Sequence, residues 1–164
     1  GYIFAAVLMG YNLTVSPVVA YNYGAANKDE LHSLLHKSFR LLLLLGIGLT
    51  ATAELTANPA ARLFVGYDAD MVALASRAER IYMLSFLILG LNLFTSAWFT
   101  GLGNGLISAA LAFTRSIIFE MGCVFLLPAI FGAEGIWYSV IIAEACSLVM
   151  CIVMISHFKS RYGY

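Results

Sequence analysis

The first 27 residues, Gly1 to Asn27, contain no charged side chain. That run exceeds the roughly 20 residues an α-helix needs to cross a hydrocarbon core of about 30 Å. It closes in SPVVAYNYGAANKDELH, Ser16 to His32, where an apolar stretch meets a proline, passes through Tyr-Asn-Tyr-Gly and breaks into Lys, Asp, Glu and His. By itself the run fits either a membrane span or a buried helix of a soluble protein. Composition separates the two. The 164 residues are 62% hydrophobic and 11% charged, with a mean hydropathy of +0.89, whereas about a quarter of an ordinary soluble domain is charged. A chain of this length has too little interior to hide so many apolar side chains, so lipid must be its solvent and the bilayer its first partner.

Nine basic residues balance nine acidic ones, which leaves no excess charge to attract nucleic acid, and no basic patch with interleaved aromatics appears. Nucleic-acid binding is not expected. Cys123, Cys146 and Cys151 all lie in apolar runs. An odd count with no Cys-x-x-Cys pair offers neither a disulfide framework nor a metal spacing, so small core residues are expected. The N-terminus has no basic region of the kind that opens a signal peptide, and no initiator methionine. The expectation is a piece of a longer protein.

Five apolar segments can be laid out: residues 2–21, 34–55, 81–102, 106–131 and 136–155. Each is read as a helix, because only helices and closed barrels satisfy the backbone in lipid and these runs are too long for barrel strands. The predicted fold is therefore all-α and integral to the membrane. Asn27 to Arg40 reads as a polar, partly helical connector. In the longer connector, Asn58 to Arg80, the stretch DADMVALASRAER places Met71, Leu74, Ala75 and Ala78 at helical spacing behind Asp68 or Asp70 as N-cap, which predicts a short interfacial helix. GLGNG (Gly101 to Gly105) and FGAEG (Phe131 to Gly135) read as tight turns between antiparallel neighbours. Alternating spans put Lys28, Lys37, Arg40, Lys159 and Arg161 on one side and Arg62, Arg77 and Arg80 on the other. The basic excess assigns the loop at 27–40 and the C-terminus to the cytoplasm.

Ionisable residues inside spans are the informative ones, since each costs about 2.5–3.5 kcal/mol at a helix centre on insertion scales. Arg115, Glu120 and Glu144 qualify; Glu54 lies near a span end, where its side chain can reach the interface. On an α-helix Arg115 and Glu120 stand about 140° apart, so a pair within the helix is poor. Glu144 on the neighbouring span is the better partner for Arg115. Counted from the intervening turn, however, the two differ in depth by roughly 10 Å, which favours a water-linked polar cavity over a direct salt bridge. A charge network that only fixes helix packing is the competing reading. Asn92, Thr95 and Ser96 form a milder polar stripe, suited to helix-to-helix hydrogen bonding or to a ligand. His32 and His36 share a helix face but have no third ligand nearby, so no metal is expected. GLGNG lacks the Lys-Ser/Thr of a phosphate loop. With no catalytic constellation in view, the chain does not read as an enzyme and calls for no cofactor.

SPVVAYNYGAAN resembles the Pro-x-x-x-Tyr-Asn-Tyr-Gly-Ala-x-Asn segment of multidrug and toxin extrusion (MATE) transporters. FTSAWFTGLGNGLISAALAFTRSIIF is similar to that family's helix, glycine turn and arginine-bearing helix, and LLPAIFGAEGIWYSVIIAE to its Leu-Pro, Gly-x-x-Gly-Ile-Trp and terminal Glu pattern. The pieces occur in the family's order across nearly the whole chain. The resemblance implies helices eight to twelve of a twelve-helix, two-lobed antiporter, without the first helix of this six-helix lobe and without the N-terminal lobe. It implies export of small cationic amphipathic compounds by alternating access, driven by protons or sodium, in the plasma (inner) membrane. Arg115 and Glu144 match family-pattern residues, while Glu120 stands where a neutral or amide residue is expected. The candidate substrate- and ion-binding residues are thus Glu144, Arg115, Glu120 and Asn92. A lipid-linked oligosaccharide flippase of the same superfamily and a non-transporting membrane scaffold are the alternatives.

Overall fold

In the computed structural model, which describes residues 2–164, the chain folds into helices, with no strand among the described residues. In order these are α1 (Tyr2–Gly24), α2 (Lys28–Val65), α3 (Ala69–Met83), α4 (Phe86–Gly101), α5 (Gly105–Phe113), a π-helical stretch (Thr114–Glu120), α6 (Met121–Phe131) and α7 (Ala133–Tyr162). By length and composition five units can cross a membrane: α1, α2, α3 with α4, α5 through α6, and α7. The five predicted spans are all present. Their limits differ from the sequence reading in three places, for reasons of packing.

Residues 27–40 are not a connector. Asn27 caps α2 by accepting the Glu30 backbone N–H at 3.3 Å, and the helix runs on beyond residue 55, through Pro59, to Val65. Its buried positions, Leu31, Leu35, Ser38, Leu42, Gly46, Thr50, Ala53, Ala57 and Ala61, recur every three or four residues over the whole length. A continuous packing stripe, rather than the hydropathy of its middle, sets the extent of this helix.

The predicted interfacial helix also merges with the span behind it. Asp68 is its N-cap, accepting from the Asp70 and Met71 N–H groups, and α3 reaches Met83. One tight turn at Leu84 and Ser85, held by short-range bonds such as Ser85 N–H to Tyr82 C=O at 3.1 Å, passes the chain into α4. Lastly, α7 starts at Ala133 and extends past residue 155 to Tyr162. Its last turns carry Phe158 and Tyr162, which pack edge-on against Phe99, while the Tyr162 hydroxyl accepts a hydrogen bond from Asn104 Nδ2 at 2.8 Å.

α4 is the central helix, packed against α1, α2, α5 and α7. Phe86, Phe94, Trp98 and Phe99 on it are fully buried. Gly46 lets α2 approach α4 closely, since a Cβ there would come within 2.9 Å of the Phe86 carbonyl oxygen. Small residues at such crossings are how helices associate without a hydrophobic drive between them. The outer surface is apolar: Ile3, Leu55, Phe64, Leu106 and Phe125 are each more than 70% exposed, which suits a surface solvated by acyl chains.

Candidate functional site

Glu144 sits midway along α7 and is 4% exposed. Two groups hold its carboxylate. Arg115, in the π-helical stretch, donates from Nη1 to Oε1 in a direct ion pair. Asn92, on α4, donates from Nδ2 to Oε2 at 2.6 Å and to the Glu144 backbone carbonyl at 2.9 Å. Three of the four sequence-predicted residues thus meet at one point. The fourth, Glu120, is half-buried and has no ion-pair partner among the described residues.

The direct bond corrects the expectation of a water-linked pair separated in depth. The register between the two helices is not set by counting from the turn. Gly135 lies against the Leu127 and Pro128 backbone, where a Cβ would run into the Leu127 carbonyl, and Ser139 Oγ donates to the Cys123 carbonyl at 3.1 Å. From that rung Glu144 is five residues along α7 and Arg115 eight residues back along its own helix. The remaining offset is about 4–5 Å at 1.5 Å per residue, within reach of an extended arginine. The π-helical stretch adds to the correction. Its i→i+5 ladder changes the rotation per residue, so an α-helical wheel misplaces side chains between Thr114 and Glu120.

A cavity of about 500 Å³ adjoins this pair. Its walls come from α1 (Met9, Asn12, Leu13, Pro17), from Asn92, Leu93 and Ala97 on α4, from Leu111 and Arg115, and from Ser147 and Cys151 on α7. Most of that lining is apolar. The polar part is unusual in being incompletely bonded: Asn12 Oδ1, Asn92 Oδ1 and Ser147 Oγ are buried and have no protein partner. A buried polar atom without a partner costs about 1–3 kcal/mol. Pro17, having no N–H, cannot bond the Leu13 carbonyl one turn back. Ser96 and Thr100 are spoken for otherwise, both bonding to Ser108 on α5.

Asn12 and Ser147 were not singled out by sequence. Asn12 carried a usable signal, an amide in the middle of an uncharged span; Ser147 carried none, since serine is common in transmembrane helices. Elsewhere, His36 Nδ1 bonds the His32 carbonyl at 2.9 Å on the exposed face of α2. The three cysteines are unpaired, with Cys151 buried, Cys123 half-buried and Cys146 exposed.

A bundle of helices long and apolar enough to cross a membrane, with a paired carboxylate buried beside a mostly apolar cavity, defines a polytopic membrane protein. The chain belongs to the MatE family, whose family model matches residues 1–126. It is 22% identical over 155 residues to the multidrug export protein MepA of Staphylococcus haemolyticus (strain JCSC1435), covering 94% of this chain and 34% of that protein. Its fold is similar to that of a multidrug resistance MATE family transporter of the MOP superfamily in an outward-facing conformation, with a TM-score of 0.87 and 19% identity over 95% of this chain and 35% of the other. It is equally similar to the Vibrio cholerae MATE transporter VcmN in its bent form, with a TM-score of 0.88 and 14% identity over 98% and 36%. The chain spans about a third of the length of these relatives.

Proposed function

We propose that this chain supplies five helices, the eighth to the twelfth, of the C-terminal lobe of a twelve-helix antiporter that exports cationic amphipathic compounds in exchange for protons or sodium by alternating access. The observation that carries this reading is the apolar-walled cavity set against the Glu144 carboxylate and its two partners, Arg115 and Asn92. The apolar wall suits the body of an amphipathic compound. The carboxylate is the group able to exchange a proton, a metal ion or an organic cation as access changes. The first helix of the lobe then packs against these five, and the opposing lobe is the partner against which they move. A flippase of phosphate-linked lipids would want free cationic charge in the cavity, whereas the guanidinium of Arg115 is already neutralised by Glu144.

The direct test is Glu144→Gln in the full-length protein that carries this chain. The amide keeps size and hydrogen bonding but exchanges no proton, so gradient-driven efflux of a fluorescent cationic dye, normalised to the amount of folded and inserted protein, falls. Wild-type efflux at equal expression would refute the coupling role.

In this reading the protein lies in the plasma membrane with the start of α2 and the C-terminus in the cytoplasm, following the basic bias of those segments. Cysteines placed at Ser33 and Ser160, after removal of Cys123, Cys146 and Cys151, should resist an impermeant thiol reagent applied to intact cells. Ready labelling of both would invert the topology.

A further inference from the structure

We propose that Arg115 is a tethered occupant of Glu144, a guanidinium that an incoming organic cation has to displace, and that Glu120 receives it when it leaves. This role rests on the transport reading above and concerns how the same carboxylate is loaded and emptied.

The first observation is one of access. Arg115 and Asn92, the two side chains bonded to the carboxylate, line the cavity, whereas Glu144 does not. A compound in the cavity therefore meets a guanidinium and an amide before it meets the acid. Among the described residues, Arg115 is also the single charged group in that lining. A second cation inserted beside an intact pair would be repelled at close range in a medium of low dielectric. Exchange of one cation for another at Glu144 avoids this, because the carboxylate keeps one positive partner throughout and net charge in the cavity does not change.

The second observation is where the displaced guanidinium can go. A charge left alone at this depth is unfavourable, so Arg115 needs another anion nearby. Glu120 lies five residues on, and both belong to the Thr114–Glu120 π-helical stretch. An α-helix would hold them on different faces; the wider i→i+5 turn brings residues five apart toward the same one. Glu120 is half-buried and without an ion-pair partner among the described residues. The acidic residue that fits the family pattern least thereby acquires a use. The third observation is the set of acceptors awaiting an N–H-bearing or hydrated cation on its way in: Asn12 Oδ1, Asn92 Oδ1 and Ser147 Oγ.

The test is equilibrium binding of ethidium, an aromatic cation that carries N–H donors, to the full-length protein in nanodiscs at pH 8.5, an alkaline condition that favours the ionised carboxylate. Removing the competitor should help the ligand: Arg115→Gln is expected to bind the probe roughly fivefold or more tighter than wild type, and the gain should vanish in the Arg115→Gln/Glu144→Gln pair. Removing the receiving acid should hinder it, so Glu120→Gln is expected to bind roughly fivefold weaker with an unchanged melting temperature. An Arg115 that only props the helices would give weaker or unchanged binding in Arg115→Gln, and an uninvolved Glu120 would leave Glu120→Gln at the wild-type value; either result overturns the proposal. If Arg115→Gln does not fold, Arg115→Lys keeps the charge but loses the planar fork that grips a carboxylate; it is expected to bind tighter than wild type by a smaller factor, and no change overturns the proposal. A wild-type protein that binds no cation sinks the transport reading as well, whereas binding that Arg115→Gln leaves unaltered sinks the Arg115 role alone.

Discussion

The molecule contains the same chemical bond in two very different places. Near one end of the bundle Arg77 pairs with Glu134 at 2.9 Å and Arg80 with Glu54 at 3.4 Å, all four side chains being 40–59% exposed. In its interior Arg115 pairs with Glu144, their side chains 20% and 5% exposed. The outer pairs join α3 to its neighbours α7 and α2, and either partner can turn to water or headgroups if the other is lost. Inside, the Glu144 carboxylate has no such refuge. Burial, rather than geometry, is what should make loss of an outer partner nearly neutral and loss of an inner one costly. It also explains why the inner pair recruits a third group, since Asn92 occupies the oxygen that Arg115 leaves free.

The largest effect expected from this contrast is the loss of one inner partner. Arg115→Leu strands a carboxylate at 4% exposure and should destabilise the fold by about 3–5 kcal/mol, read as an earlier midpoint in denaturant-induced unfolding in bicelles. A change below about 1 kcal/mol would place the pair in the same class as the outer ones. Next comes Asn92→Ala, which removes the hydrogen bonds to Glu144 Oε2 and to its backbone carbonyl. The expected loss is about 1–2 kcal/mol, smaller than for the arginine because no ion is left unpaired. Smallest of all is Arg77→Ala, at under about 1 kcal/mol and shrinking further as salt is raised. A salt-independent loss of several kcal/mol there would erase the distinction between the two regions.

The same division separates what could be read along the chain from what could not. Hydropathy is additive along a sequence, so the membrane, the helical class and all five spans follow from the order of residues alone, and so does the suspicion attached to Arg115, Glu144, Glu120 and Asn92. The ends of helices are not additive. α2 runs from Lys28 to Val65 because a packing stripe continues through a polar start and past a proline, and α7 reaches Tyr162 because its last aromatics meet Phe99.

Whether Arg115 touches Glu144 was decided by tertiary structure. A one-dimensional count placed them about 10 Å apart in depth, but Gly135 against Leu127 and Ser139 against Cys123 slide α7 along its neighbour, and the π-helical stretch resets the rotation of Arg115. The cavity, and with it the relevance of Asn12 and Ser147, likewise exists only once α1, α4 and α7 are brought together. Sequence alone fixed which groups could not remain in lipid unaccompanied, because that is a property of each side chain and its solvent; which companions they found is a property of the register between helices, and no single helix contains it.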